Sequence, residues 1–214
     1  MTSRTHLRFL AALIAVSLST LLAPEAFAGH GATTIAAARQ LALGTTVTVR
    51  GTVTVPTNAF DAGFAVQQAN AGIYVLDSGG ANRALGDEVQ ITGTLVDSFG
   101  LLALQPSALT ALGRGPRIHP RKTSTGSVGE ATEGRLLRLE GMMVGDLVDD
   151  GPFGFKLDID DGSGPIQIFL FPGAGIATAG LHAGVAIEVT CFSNQFDVFN
   201  ECDPRTAADF ELED

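Results

Sequence analysis

The chain contains one unit twice. "GDEVQITGTLVDSFGLLALQPS", from Gly86, lies without a gap over "GVAIEVTCFSNQFDVFNECDPR", from Gly184, at a constant offset of 98. Gly86 falls on Gly184, Val89 on Ile187, Ile91 on Val189, Thr92 on Thr190 and Pro106 on Pro204. With small insertions the earlier parts follow: "TTVTVRGTVTV" from Thr45 matches "GRLLRLEGMMV" from Gly134, and "FAVQQANAGIYVL" from Phe64 matches "FKLDIDDGSGPIQIFL" from Phe155. Whatever the fold, it is one supersecondary pattern used two times.

Each unit reads as a long strand with a central glycine, a hairpin, a connection and a second hairpin, which makes five strands. Val47, Val49, Val53 and Val55 share one parity and Thr46, Thr48, Arg50, Thr52 and Thr54 the other, giving one buried and one wet face. Gly51 and Gly141 stand where that parity calls for a buried side chain; a glycine there lets a bent strand serve two sides of a small barrel. The connection "GAGIATAGLHAG" has room for a short helix at Ile176 to Leu181, which "SGGANRALG" in the first unit lacks. The expected fold is all-β: two tandem five-stranded OB-fold (Greek-key) barrels, with a short helix in the second. Barrel one spans 34–113, a basic proline-containing linker 114–122, and barrel two 123–214.

The segments "VTVRGTVTV", "FAVQQANAGIYV", "LGDEVQITGTL", "LDIDDGSGPIQIF" and "FNECDPRTAADFEL" together resemble the tandem OB-fold modules of secreted bacterial proteins, often found beside extracellular nuclease, phosphatase or lamin-tail domains. The resemblance spans nearly all of the chain after the leader and rests on turn and core positions. It implies a fold and, through it, nucleic acid as a ligand class.

Residues 1–28 have a basic start (Arg4, Arg8), an apolar run from Phe9 to Ala23, Pro24, and small residues Ala26 and Ala28 at a cleavage point. This is the pattern of a secretory signal peptide, and the run is too short for a bilayer span of about 20 residues. Export to the periplasm or medium is expected, with no membrane contact after cleavage. Losing Arg4, Arg8 and Glu25 from 13 Lys plus Arg and 23 Asp plus Glu leaves 11 against 22, a net charge of −11 that repels polyanions at long range.

Both cysteines, Cys191 and Cys202, lie in the last hairpin, where the first unit has Gly93 and Leu104. A turn centred near Phe196 and Asp197 would set them directly opposite one another, within disulfide reach in an oxidising compartment. A redox-active dithiol would sit closer in sequence at a helix start, and a metal site would need two more ligands. The pair therefore reads as a staple contributing about 3 kcal/mol.

No catalytic constellation emerges: His119 and His182 pair with no nucleophile or carboxylate in sequence, and neither "SGG" at Ser78 nor "GRGPR" at Gly113 has the setting of a phosphate loop. No cofactor is implied and the chain is not read as an enzyme. "DIDDGSG", with Asp158, Asp160 and Asp161, breaks calcium-loop spacing and reads as a hairpin turn. What remains is binding. OB barrels take extended ligands across their second and third strands on outward aromatics and cations. The candidates are Tyr74 and Phe169 as platforms, Arg50, Arg83, Arg138 and Lys156 as nearby cations, and Arg117, Arg121 and Lys122 in the linker, where a groove between barrels would meet phosphates. Two readings stand: a module for single-stranded nucleic acid, opposed by the overall acidity, and a protein- or glycan-interaction module at the cell surface or accessory to an extracellular hydrolase.

Overall fold

The computed structural model describes residues 31–76, 79–80 and 82–213; the leader expected over 1–28 lies outside the described residues. A helical turn, α1 (Ile35–Ala38), precedes β1 (Thr46–Val55), β2 (Phe64–Gln68), β3 (Ala71–Val75), β4 (Asp87–Ser98) and β5 (Leu101–Arg114). After the linker come β6 (Arg121–Lys122), β7 (Leu136–Asp149), β8 (Phe155–Asp160), β9 (Ile166–Leu170), β10 (Ala186–Phe196), β11 (Phe199–Asp203) and β12 (Phe210–Glu213).

The first unit is a closed barrel in the order β1-β2-β3-β5-β4. The second runs β7-β8-β9-β11-β10 and closes through β10 on β7, with β6 and β12 added outside the ring. In both, the third and fifth strands pair in parallel and their neighbours antiparallel, which is the OB-fold connectivity. The registers repeat too: Val49 faces Ile91 in one barrel, and the equivalent Leu139 faces Val189 in the other.

The central glycines act where the first strand changes partner. β1 pairs with β4 up to Thr52 and with β2 from Thr52 onward; β7 pairs with β10 up to Met142 and with β8 from there. A Cβ on Gly51 would lie 3.1 Å from both Ile35 Cδ1 and Val66 Cβ, and one on Gly141 3.0 Å from the Asp160 backbone. These strands coil so tightly that a side chain would have to displace a neighbour.

The helix falls in a different place from the one expected. Residues 176–181 are not helical, because Gly175 (φ +67°) and Gly180 (φ +87°) turn the chain at both ends of that stretch; only a 3-10 turn forms, at Pro172–Ala174. The helical turn instead comes from "TIAAA" in the first unit, where the Thr34 hydroxyl accepts from Ala37 N–H and Ile35 and Ala38 plug the barrel floor. The corresponding plug of the second barrel is Val128, after the 3-10 turn Thr125–Ser127. The linker is likewise shorter than expected, since Arg121 and Lys122 pair with β7 as a strand.

The barrels dock face to face. Phe192, pointing out of the second barrel, packs among Val55, Ala65, Tyr74, Leu101 and Ala103 on the outside of the first. Around it Leu136 N–H donates to Gln67 Oε1 (2.9 Å), Arg205 Nη1 to the Thr54 carbonyl (2.8 Å), and Arg39 pairs with the buried Glu133 (2.8 Å). At Gly72 and Gly134 the two backbones nearly touch: a Cβ on Gly72 would stand 1.7 Å from the Gly134 carbonyl oxygen. No side chain fits at that point of contact.

Candidate ligand-binding clefts between the barrels

Alternation placed the platform residues correctly, and docking then covered them. Ile73 and Val75 face the first core, so Tyr74 faces out, but its ring is 5% exposed beneath Phe192 and its hydroxyl donates to Asp61 Oδ1. Burial first, then the bond to Asp61 and the charges of Asp61 and Asp203, push its phenol pKa far above the ordinary range. In the second barrel Phe169 faces out opposite Lys156, is 8% exposed, and packs against Phe171 at 4.6 Å. Neither ring is open for stacking.

Most of the expected cations are spoken for. Arg50 makes a two-pronged contact with Glu88, Arg138 pairs with Glu188, Lys156 with Asp150, and Lys122 with Glu140. Arg83 is half-buried, with its Nε lacking a hydrogen-bond partner among the described residues and its backbone tied to Thr57. The structure therefore does not assemble Tyr74, Arg50 and Arg83, or Phe169, Arg138 and Lys156, into open stacking surfaces.

A different surface brings three arginines together. A cleft of about 540 Å³ runs between the barrels under the linker, walled by Thr52 and Thr54 of β1, Arg114, Arg117 and Pro120 of the linker side, and Arg205 of the second barrel. Arg114 is paired with Asp87 and Arg205 with Asp209, whereas Arg117, Arg121 and Arg135 form no ion pair with a described residue. Arg135, next to the cleft residue Leu136, is 7% exposed with an unpartnered Nε; burial lowers its pKa, and the charge of Arg121 lowers it further. Two like charges held together without a carboxylate are relieved by an anion. The Thr54 hydroxyl, also in this wall, is buried without a partner.

The "DIDDGSG" segment is the β8–β9 turn, with Gly162 at φ +96° and Gly164 at φ +125°. Asp160 Oδ1 accepts from Gly162 and Gly164 N–H, and Asp161 accepts from Thr125 and Ser163, which holds its pKa down at about 2 and ties the linker exit to the barrel. Among the described residues no group of three or more His, Cys, Asp or Glu is placed to hold a metal ion.

Cys191 and Cys202 form a disulfide, both fully buried in the second core, with Cα atoms 5.3 Å apart. The geometry differs from the expected one. The turn residues are Asp197 and Val198, one position later than expected, so Cys202 faces Ser193 and the bridge runs diagonally. Asp197 at φ +56° absorbs the turn, and the 5.3 Å between the two Cα atoms is within the range that a disulfide spans.

Sequence reasoning missed two buried acids beside this bridge. Asp203 is 0% exposed; Oδ2 accepts from Asn194 Nδ2 while Oδ1 has no partner, and burial, then the charge of Glu201, raises its pKa well above the carboxylate range. Glu201 is nearly as buried, accepts from Gln167 Nε2, and is pushed up to about 7 by burial. The signal available was parity: Asp203 is outward in the ladder, as Phe192 is, and so enters the seam.

The chain matches no protein-family model, and no curated protein matches it. Among solved structures it is similar to the hypothetical protein YgiW from E. coli (20% identity, TM-score 0.33, 39% of this chain and 92% of that one). It is also similar to the tetrameric p202 HIN2 (12%, 0.36, 80% and 94%) and to a murine DNA-binding protein bound to double-stranded DNA (9%, 0.37, 77% and 94%). Identities and TM-scores this low carry no argument about ligand or mechanism; the OB-fold assignment stands on this chain's own strand order.

Proposed function

We propose that this protein is an exported, non-catalytic binding module that holds a single-stranded nucleic-acid backbone in the cleft under the linker. The observation that carries the reading is the grouping of Arg117, Arg121 and Arg135, three of the four cations without a carboxylate partner among the described residues (Arg83 is the fourth), near one seam of an otherwise acidic molecule. Surrounding acids repel a polyanion everywhere else and so favour that seam as its register. Binding rather than turnover fits the perturbed carboxyls Glu201 and Asp203, which are sealed away from any substrate. Export is supported by the leader-like first 28 residues and by a disulfide that an oxidising compartment preserves.

Fluorescence anisotropy of a labelled oligothymidine across a salt series tests this reading. Three phosphate contacts predict a log–log slope of roughly −2, and Arg117→Ala should reduce its magnitude by about 0.7. Absence of binding at low salt would overturn the reading. A second reading, a protein-interaction module, is favoured by one observation: the tips of the β4–β5 and β10–β11 hairpins present Phe99, Phe196, Val198 and Phe199 to solvent side by side.

A further inference from the structure

A second cleft between the barrels, of about 240 Å³, has aromatic rings as six of its twelve lining residues. Phe171, Phe60, Phe192 and Tyr74 form a chain with successive centroids 4.9, 6.1 and 5.8 Å apart, and Phe99 stacks on Phe196 at 5.5 Å at the mouth. The mouth is open, with Phe99 71% and Phe196 55% exposed. The one charged side chain in the wall is Asp61, exposed, whose Oδ1 is fixed by Tyr74 OH and Gly63 N–H; Oδ2 accepts no hydrogen bond from a described residue. No Lys, Arg or His lines this space. Behind it Asn194 connects the wall to the buried Asp203.

We infer that this cleft is a binding site for an alkylated organic cation, such as a quaternary ammonium group. Ring faces carry negative electrostatic potential, and a cation stripped of water between several of them is attracted more strongly than at an exposed surface. A primary ammonium would lose hydrogen bonds that hydrocarbon-rich ring faces do not return, whereas an alkylated one has none to lose. Asp61 then supplies the counter-charge from the rim. Both barrels contribute accessible rings, Phe60 and Phe99 from one and Phe171 and Phe196 from the other, over a packed floor of Tyr74 and Phe192, so the site exists only in the docked pair. It shares no wall residue with the cationic cleft and stands or falls separately from the nucleic-acid reading.

The test is calorimetric titration of the full, disulfide-intact chain with choline and benzyltrimethylammonium, against 3,3-dimethylbutan-1-ol, the uncharged counterpart of choline. Both cations should bind about tenfold or more tightly than the alcohol. Asp61→Asn, which keeps an acceptor for Tyr74 and Gly63, should remove most of that preference while leaving the weak alcohol binding unchanged. Phe99→Ala, at the exposed mouth, should weaken the cations without lowering the melting temperature. Equal affinity for cation and alcohol, stronger binding of a neutral pyranoside, no binding of either cation at tens of millimolar, or a preference that survives in both variants would each overturn the proposal.

Discussion

The two barrels share strand order, register and partner-switching glycines, yet they end their last hairpin differently. In the first, β5 runs 14 residues and pairs with β4 along its whole length, with a register shift where Gly93 meets Pro106. A Cβ on Gly93 would lie 2.6 Å from the Gln105 carbonyl oxygen, so the ladder passes its proline only because glycine lets the strands close up. In the second, Cys191 stands in place of that glycine, Pro204 ends β11, and the chain turns through a 3-10 turn at Ala207–Asp209 before β12 returns along β10. The disulfide joins the two strands where the continuous ladder is lost. Equivalent positions thus reach closure by two routes, backbone hydrogen bonds in one barrel and a covalent bridge plus a third strand in the other.

Docking sets the largest expected difference. Phe192 is buried at the seam, whereas its counterpart one repeat earlier, Thr94, is half-buried on its own barrel. Phe192→Ala should cost about 3–5 kcal/mol in denaturant unfolding and Thr94→Ala within about 0.5 kcal/mol. Equal costs would mean that the barrels do not rely on this contact. Next, a Cys191→Ala, Cys202→Ala variant should lose about 3 kcal/mol, since the cross-link closes a short loop in the unfolded chain, while oligothymidine binding persists. An unchanged unfolding midpoint would show that β12 alone compensates for the broken ladder.

The third difference is in proton binding. Glu201 and Asp203 occur where the first unit has Ala103 and Gln105, so the titrating burial belongs to the second barrel. Their folded pKa values are raised, so both states bind the proton at low pH; as pH rises past the ordinary carboxylate range the unfolded chain ionises first and folding loses ground, up to and through about pH 7 for Glu201. Stability should fall between about pH 5 and 8 by on the order of 2 kcal/mol, and Glu201→Gln should flatten much of that slope. A profile that rises across this window would contradict the burial described for these acids.

Much of the fold was legible because the repeat compares the chain with itself. Gly86 and Gly184 align by sequence and both adopt a positive φ, +81° and +87°; Gly51 and Gly141 align and both sit at the change of strand partner. Alternation put Tyr74 and Phe169 on the outward faces, and in the structure their strand neighbours Ile73, Val75, Ile168 and Leu170 fill the cores. The disulfide partners were legible as well, with only their register off by one turn residue, because Asp197 and Val198 rather than Phe196 and Asp197 form the loop. The candidate site was far less so. Of the cations named near the strands, Arg50, Arg138 and Lys156 are paired with carboxylates that alternation alone does not match to them and Arg83 is half-buried without an ion pair, while the other unpaired ones lie around the linker, where Arg117 and Arg121 had been singled out but Arg135 had not.

Local order in the chain determined which residues form strands, where the backbone must bend, and which face of each strand is apolar, since those depend on spacing and on steric limits within a few residues. Only the docking of one barrel on the other decided what an outward face means. It turned Tyr74 and Phe192 from surface rings into packing, sealed Asp203 from water, and opened two separate clefts between the barrels, one lined by arginines and one by rings and Asp61. Those outcomes depend on residues more than a hundred positions apart meeting at van der Waals distance, and no period in the sequence encodes such a meeting.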